Sequence, residues 1–220
     1  MPPPRDSGIR AGVRAALPFV LPTLLLGVSF GVLAKPVMGT VAPIAMSVLV
    51  FSGGAQFAAL SVLASGGALA AAVAAGLLMN ARWVPMGFAI GPSLRGGLRS
   101  RALQAQAIVD ASFAIAGRGD GTFDRTVLIG ATIPQASAWI AGTVLGVLGG
   151  GALGDPARLG LDAVFPAFYL SLLVEEARGR RAVAAAAGGA AITVALMPVA
   201  PAGVPVIAAS LAALIGLRRP

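Results

Sequence analysis

The hydrophobic residues of this chain are grouped in long runs that charged residues do not interrupt. Stretches free of Asp, Glu, Lys and Arg cover residues 15–34, 36–81, 126–154 and 182–217. A transmembrane helix needs about 20 consecutive apolar residues. Lipid favours helices because their backbone groups bond to one another. The pattern therefore predicts an all-α integral membrane protein.

Breaks within the runs predict about seven helical segments, some of them interrupted. Ser52 and the two glycines after it divide the second segment, and Pro85 bends the third. The segment 99–117 is more polar and amphipathic, and we count it separately. The seven segments are 14–34, 41–65, 68–90, 123–150, 161–177, 181–197 and 204–217. Together they predict a single polytopic transmembrane domain, 1–220, with a cytoplasmic N-terminal tail at 1–13.

The basic residues predict the topology. The net charge is +8, and the arginines cluster at the ends of apolar runs. If these clusters are cytoplasmic, Lys35 and Arg158 are the only basic residues expected on the other side of the membrane. Segment 41–65 must then enter and leave from one side as a re-entrant hairpin; the alternative is one ordinary broken span. We expect a multi-pass protein of the bacterial cytoplasmic membrane, whose positive charge contacts membrane lipid rather than nucleic acid.

A faint internal repeat favours a two-part design. "GVSFGVL" at 27–33 resembles "GTVLGVL" at 142–148, an offset of 115 residues. On that offset, 47–60 aligns with 162–175. Transporters are often built from repeats that contain broken helices. The possible repeat halves are 14–92 and 123–217.

The composition excludes several classes of chemistry. The chain has no Cys and no His, which excludes disulfides, thiolate and imidazole metal sites, and Cys-His or Ser-His catalysis. "GVSFG" fits the nucleophile pattern of serine hydrolases, but Ser29 has no histidine base. Gly27 and Gly31 instead form a face of small residues for close helix packing. We therefore expect no enzymatic activity, no cofactor and no metal.

The stretch "FSGGAQFAAL" contains the first candidate site residues, Gly53, Gly54, Gln56 and Phe57. Two adjacent glycines allow a helix to stop and restart, and the new helix N-terminus attracts anions. These residues are therefore candidates for substrate binding. The alternative is a glycine pair that permits a tight helix crossing, with Gln56 in an interhelical hydrogen bond.

The stretch "GLLMNARWVPMG" contains a charged residue, Arg82, between Lys35 and Arg95. Charges at membrane depth are costly and usually face the protein interior. One interpretation is that Arg82 and Asn80 face a polar cavity, brought together by local unwinding before Pro85. The alternatives are an arginine that reaches the lipid headgroups and a structural ion pair.

Asp110 is the natural partner for that arginine. It is the only acidic residue between Asp6 and Asp120, and apolar residues surround it. Such an aspartate could titrate, pair with Arg82 or hold a substrate ammonium group. The alternative is an interfacial aspartate on an amphipathic helix.

These segments together resemble the AzlC family of branched-chain amino acid exporters. The family's "GxxQF" element matches Gly53 to Phe57, and its "N-x-R" element matches Asn80 to Arg82. Its "D-E-[ST]-F-A" element resembles "DASFA" from Asp110, and a late element resembles "GLDAVFPAFYLSLL". Two residues depart from the family pattern, because Ala111 replaces an acid and Trp83 replaces a histidine.

The resemblance implies export of hydrophobic amino acids such as valine, leucine, isoleucine or methionine. It also implies a proton or ion gradient as the energy source and a small AzlD-type membrane subunit as the partner. A zwitterion needs a receptor for its carboxylate, an acceptor for its ammonium group and an apolar pocket. The carboxylate candidates are the Gly53–Gly54 break, Gln56 or Arg82. The ammonium acceptor is Asp110 or freed backbone carbonyls, and the pocket candidates are Phe57, Trp83 and Phe113.

Other functions remain open at this point. The chain could be a transporter or channel for another small polar solute, or a scaffold subunit that transports nothing. A membrane enzyme acting on lipid is the least favoured, because no nucleophile with a base is visible.

Overall fold

The computed structural model describes residues 8–118, 120–150, 170, 173–174, 179–200 and 204–213. Every regular element in these ranges is helical, which confirms the predicted all-α fold. The predicted segment 161–177 lies outside the described residues, apart from Leu170, Leu173 and Val174. The helices are α1 (Ile9–Met38), α2 (Val41–Leu49), α3 (Gly53–Ala64), α4 (Leu69–Asn80), α5 (Trp83–Ile90), α6 (Leu98–Ala105), α7 (Asp110–Ala116), α8 (Arg125–Gly149), α9 (Arg180–Leu196) and α10 (Val204–Ala209), with 3-10 turns at Gly91–Ser93 and Ser210–Ala213.

The chain forms two compact units. Unit 1 contains Met1–Gly53 and Ala81–Ala152, and unit 2 contains Gly54–Asn80 and Leu153–Pro220. Each unit therefore contains residues from both predicted repeat halves. The single transmembrane domain and the repeat halves stay predictions.

A close crossing of α1 and α8 forms the centre of unit 1. A Cβ atom on Gly27 would lie 2.6 Å from the carbonyl oxygen of Trp139 and 3.2 Å from the Cα of Gly142. A Cβ atom on Gly146 would lie 2.9 Å from the backbone nitrogen of Val32. Only glycine permits such contact between two helix backbones, so the predicted packing role of the glycine face is confirmed.

The two helices run parallel. Near their N-terminal ends Gly12 faces Ala131, and further along Gly31 faces Val147, each with a Cβ-to-nitrogen distance of 2.7 Å. Both helices therefore begin at the same end of unit 1, as the positive-inside interpretation requires of their basic N-terminal clusters. The described arginines at these ends are Arg10, Arg14, Arg118 and Arg125.

Two helices in the described ranges, α1 and α8, are long and apolar enough to cross a membrane. Their mean hydropathies are 2.1 and 1.3, and α4 with α5 would supply a third crossing if they form one broken span. In contrast, α2 and α3 have 9 and 12 residues, or about 14 and 18 Å of helix. Neither alone matches a hydrocarbon core of about 30 Å. The predicted interruption of segment 41–65 is confirmed.

The first helix is longer than the predicted 14–34, because α1 begins at Ile9 and extends to Met38. Part of the predicted tail is therefore helical. Gly12 explains the early start, since its contact with Ala131 of α8 supplies tertiary packing, which contributes most of a helix's stability.

The predicted helix 68–90 is divided earlier than Pro85. In the structure α4 ends at Asn80 and α5 begins at Trp83. Pro85 has no N–H group, and its ring would clash with the carbonyl of Ala81, so the helical ladder fails one turn before it. The N–H of Val84 instead bonds to the carbonyl of Ala81 at 3.1 Å, in a tighter turn.

The prediction of one continuous amphipathic piece at 99–117 is wrong, because α6 and α7 are separated by residues 106–109. Ser112 explains the break. Its hydroxyl accepts a hydrogen bond from the N–H of Val109 at 3.1 Å and donates to the carbonyl of Ala107 at 2.6 Å. Serine side chains that bond locally in this way stop and restart helices.

Asp124 caps the N-terminus of α8. Its carboxylate accepts hydrogen bonds from the N–H groups of Thr126 and Val127, and from Arg118 at 2.7 Å. The hydrogen bond from the Thr126 hydroxyl and the bond from Arg118 hold the pKa of Asp124 well below its usual range, although burial opposes them. The cap therefore depends on an ionised carboxylate.

We expect Gly146→Ala to destabilise the protein by about 1–3 kcal/mol, because the added methyl meets rigid backbone of α1. Gly149→Ala is the matched control, since a Cβ atom there has nothing within 4 Å. Thermal unfolding in detergent measures both. Equal losses in the two variants would contradict the close crossing.

We expect Asp124→Ala to cost about 0.5–2 kcal/mol of stability at neutral pH. Because the pKa of Asp124 is lowered by folding, its contribution is complete above the unfolded pKa of about 4 and is lost as the pH falls further. Unfolding midpoints between pH 3 and 7 should fall in acid for the wild type and fall less for Asp124→Asn. Identical acid slopes would remove this role.

Candidate functional site

The Arg82 and Asp110 side chains form a bidentate ion pair in unit 1. Nε of Arg82 donates to Oδ1 of Asp110 at 3.0 Å, and Nη2 donates to Oδ2 at 2.8 Å. This parallel arrangement is the strongest geometry for a guanidinium and a carboxylate. The side chains keep 31% and 42% of their surface exposed. Of the roles that the sequence leaves open for Asp110, pairing with Arg82 is the one that the structure shows.

Helix breaks place both members of the pair. Arg82 lies in the two-residue break between α4 and α5, and Asp110 is the first residue of α7. A carboxylate at that position is favoured by the positive end of the helix dipole. Pro85 sets the first break and Ser112 sets the second, so the local sequence determines where both charges lie.

A hydrophobic cluster packs together the segments that carry the pair. Ile90 of α5 and Leu128 of α8 are completely buried, and Ile108 before α7 is 5% exposed. Phe113 packs against the same cluster, with its ring centroid 4.6 Å from that of Phe123. Phe113, a candidate for the substrate pocket, therefore packs in the core of unit 1. This packing restricts how far the charged side chains can move.

A buried polar network fastens α2 to α8. The indole N–H of Trp139 donates to the Ser47 hydroxyl at 3.1 Å, and the Thr143 hydroxyl donates to the carbonyl of Trp139 at 2.9 Å. The Ser47 and Thr143 hydroxyl oxygens are 2.8 Å apart. The sequence pattern does not single out these residues, although Trp139 and Thr143 share the helix face of Gly142 and Gly146.

The restart of the chain at α3 shows both backbone strain and tight packing. The break occupies residues 50–52, and Phe51 has a φ of 43°. That left-handed conformation costs a non-glycine residue about 1–3 kcal/mol. A Cβ atom on Gly53 would lie 3.0 Å from the Trp139 ring. This contact is what the packing alternative predicts for Gly53.

The other candidates from this stretch lie at the beginning of α3, in unit 2. Gly54, Gln56 and Phe57 are all buried, with Gln56 fully enclosed and Phe57 2% exposed. A completely buried amide must have its polar atoms bonded. Gln56 is therefore held by specific contacts rather than exposed on a lipid-facing surface.

Asn80 is the last residue of α4, and this end of α4 lies next to the beginning of α3. A Cβ atom on Gly76 of α4 would lie 3.4 Å from the carbonyl oxygen of Ala55 in α3. Residues 65–68 join the two helices, so α3 and α4 form an antiparallel hairpin. Asn80 and Gln56 therefore lie at the same end of that hairpin, and Asn80 is partly exposed there.

Trp83, which follows Arg82, has an indole N–H group without a hydrogen-bond acceptor in the described part of the chain. The indole nitrogen is also buried. A buried donor left unpaired costs about 1–3 kcal/mol. A phenylalanine would avoid that cost, so stability alone does not explain the residue at this position.

We expect Arg82→Gln and Asp110→Asn each to lower stability, because each leaves the partner charge unpaired. The double variant should be less destabilised than the sum, by a coupling energy of about 1–2 kcal/mol, since the pair is neither fully exposed nor sealed. Thermal unfolding of the four proteins in one detergent measures the coupling. Additive losses would show that the two side chains do not interact in solution.

Comparison with known proteins gives a family and two relatives. The model of the AzlC protein family matches residues 18–153. An uncharacterized membrane protein of Archaeoglobus fulgidus is 30% identical over 189 residues, which cover 84% of both chains. The inner membrane protein YgaZ of Escherichia coli K12 is 28% identical over 187 residues, covering 79% of this chain and 75% of YgaZ. No solved structure matches.

The matched range contains the helix break before Gly53, the break at Arg82 and the helix that begins at Asp110. The candidate residues therefore all lie in the part of the chain that defines the family. The family match and both relatives show that this chain is a membrane protein of the AzlC family.

Proposed function

We propose that this protein exports branched-chain or other hydrophobic amino acids across the bacterial cytoplasmic membrane. Export is driven by a proton or ion gradient and requires a small AzlD-type membrane subunit. Family membership supports a transporter. The observation that carries the proposal is the partly exposed bidentate pair of Arg82 and Asp110.

The pair matches the charges of an amino acid. A zwitterion carries one carboxylate, which suits the Arg82 guanidinium, and one ammonium group, which suits the Asp110 carboxylate. When the substrate binds, each side chain exchanges its partner in the pair for the opposite charge on the substrate. Two ionic contacts replace one bidentate contact, and the site stays neutral throughout. A neutral exchange avoids leaving an unpaired charge in a poorly solvated place.

The remaining candidates supply polar and apolar contacts. In this proposal the candidates of unit 2 act at a step of the cycle separate from the pair, where Gly54, Gln56 and Asn80 hold the substrate carboxylate. Phe57 contacts the aliphatic side chain at that step. Helix breaks with freed backbone groups are typical of binding sites in transporters.

Energy coupling rests on Asp110 in this chain. The family's second acid is replaced by Ala111, and its histidine by Trp83. Protonation of Asp110 removes its charge and weakens its hold on Arg82. The protonated residue can no longer hold the substrate ammonium group, so protons and substrate compete at one pair and their binding is linked.

The test is efflux from cells loaded with a Val- or Met-containing dipeptide, with an AzlD-type subunit co-expressed. The chain should accelerate efflux, and Arg82→Ala should slow it at least tenfold at equal membrane abundance, because truncating one partner of a charged contact costs about 2–5 kcal/mol. Arg14→Ala removes an exposed arginine of α1 and is the matched control. Asp110→Asn should abolish the dependence of efflux on the proton gradient.

Other outcomes identify the alternatives. Efflux that does not depend on any ion gradient would indicate a channel. Faster efflux of a different solute would show that the substrate is not an amino acid. No flux with any partner would favour a scaffold subunit. Efflux insensitive to Arg82→Ala would leave a transporter whose arginine is structural.

A further inference from the structure

A groove runs along α5 and the turn that follows it, apart from the Arg82–Asp110 pair. Its volume is about 620 Å³, and its lining includes Trp83, Val84, Phe88, Pro92 and Arg101. Val84 is 59% exposed and Phe88 is 80% exposed. The groove therefore has an apolar length and one positively charged wall.

Arg101 reaches this groove from α6. Its Nη2 donates to the carbonyl oxygen of Gly91 at 2.9 Å. Its other N–H groups have no acceptor in the described ranges, so most of the guanidinium faces outward. The bond to Gly91 fixes the side chain at the end of α5 and orients the donors that remain.

Two further arginines, Arg95 and Arg99, precede Arg101 along the chain. In the described ranges the ion pairs are Arg82–Asp110 and Arg118–Asp124, so no carboxylate there neutralises these three arginines. An uncompensated arginine in the wall of an apolar groove, with two more close to it in sequence, suits an anion that also has an apolar part. A free amino acid is too short to use the groove and has no net charge.

Helix α6 has the composition of a segment that lies in the membrane interface. Leu98 and Leu103 are 85% and 76% exposed, and two of the uncompensated arginines lie on the same short helix. Apolar side chains combined with arginines on one surface helix favour binding to anionic lipid.

We propose that this groove binds one anionic phospholipid of the phosphatidylglycerol type. Its phosphate accepts hydrogen bonds from the outward N–H groups of Arg101, with Arg95 and Arg99 adding attraction. One acyl chain lies along Val84 and Phe88. A guanidinium presents paired donors that suit a phosphate. The proposal rests on membrane location and not on the transported solute.

The test uses Trp83 as a reporter, because it lines the groove, whereas Trp139 is 4% exposed and buried against Phe30. The full-length protein in detergent is titrated with phosphatidylglycerol brominated on its acyl chains, and tryptophan fluorescence quenching is measured. We expect saturable quenching that brominated phosphatidylcholine does not reproduce. Trp83→Phe should remove most of the signal.

Arg101→Gln should raise the half-saturating lipid concentration roughly fivefold. Each basic residue near an anionic lipid surface contributes about 1 kcal/mol of binding free energy, which corresponds to that factor. Arg101→Lys, which keeps the charge, should weaken it less and guards against misfolding. Arg14→Gln removes an exposed arginine of α1 that does not line the groove, and it should change little.

Equal quenching by the two lipids, or equal effects of Arg14→Gln and Arg101→Gln, would overturn the site and leave a general basic surface. Competition by inorganic phosphate as strong as that by unlabelled phosphatidylglycerol would also overturn it, since the acyl contact would then contribute nothing. Loss of amino acid efflux with intact lipid binding would affect only the proposed function, so the two failures are distinguishable.

Discussion

Unit 1 depends on the backbone contact between α1 and α8. Lipid provides little hydrophobic drive for helices to associate, so van der Waals packing must hold them together. Glycines at Gly27, Gly31, Gly142 and Gly146 allow that packing along parallel axes. The contact also sets the position of Trp139, from which the indole reaches Ser47 and the ring covers Gly53. A loss of close approach would therefore loosen the anchor of α2 and the start of α3 together.

Both residues of the charged pair lie at breaks between helices and not in the interior of a helix. Arg82 and Asp110 lie where the backbone has left one helix and not yet completed another. Such positions let a charged side chain turn toward its partner without breaking a ladder of backbone bonds. The cluster around Ile90 and Leu128 then keeps the breaks close together. Rigid packing and irregular backbone are both needed to form this site.

Some of this arrangement is predictable from the sequence. The glycine face was recognisable because a spacing of four residues marks one side of a helix. The ion pair was recognisable because so few charges interrupt the apolar runs. The break at 106–109 was missed because Ser112, which causes it, is compatible with a helix interior. The Ser47 network was missed because its members are 92 and 96 residues apart, and no local pattern connects them. The division of the chain into two units, each made of separate chain segments, follows from long-range packing. The spacing of hydrophobic residues along the sequence does not specify that packing.

The parallel crossing also has a consequence for synthesis. Matching glycine positions on α1 and α8 are 115 residues apart, so at about 5–20 residues per second α1 waits roughly 6–23 seconds for its partner to be made. During that time α1 is stable in lipid as a single helix, because its backbone groups bond to one another. The closest backbone contact of unit 1 therefore forms only after most of the unit has been synthesised.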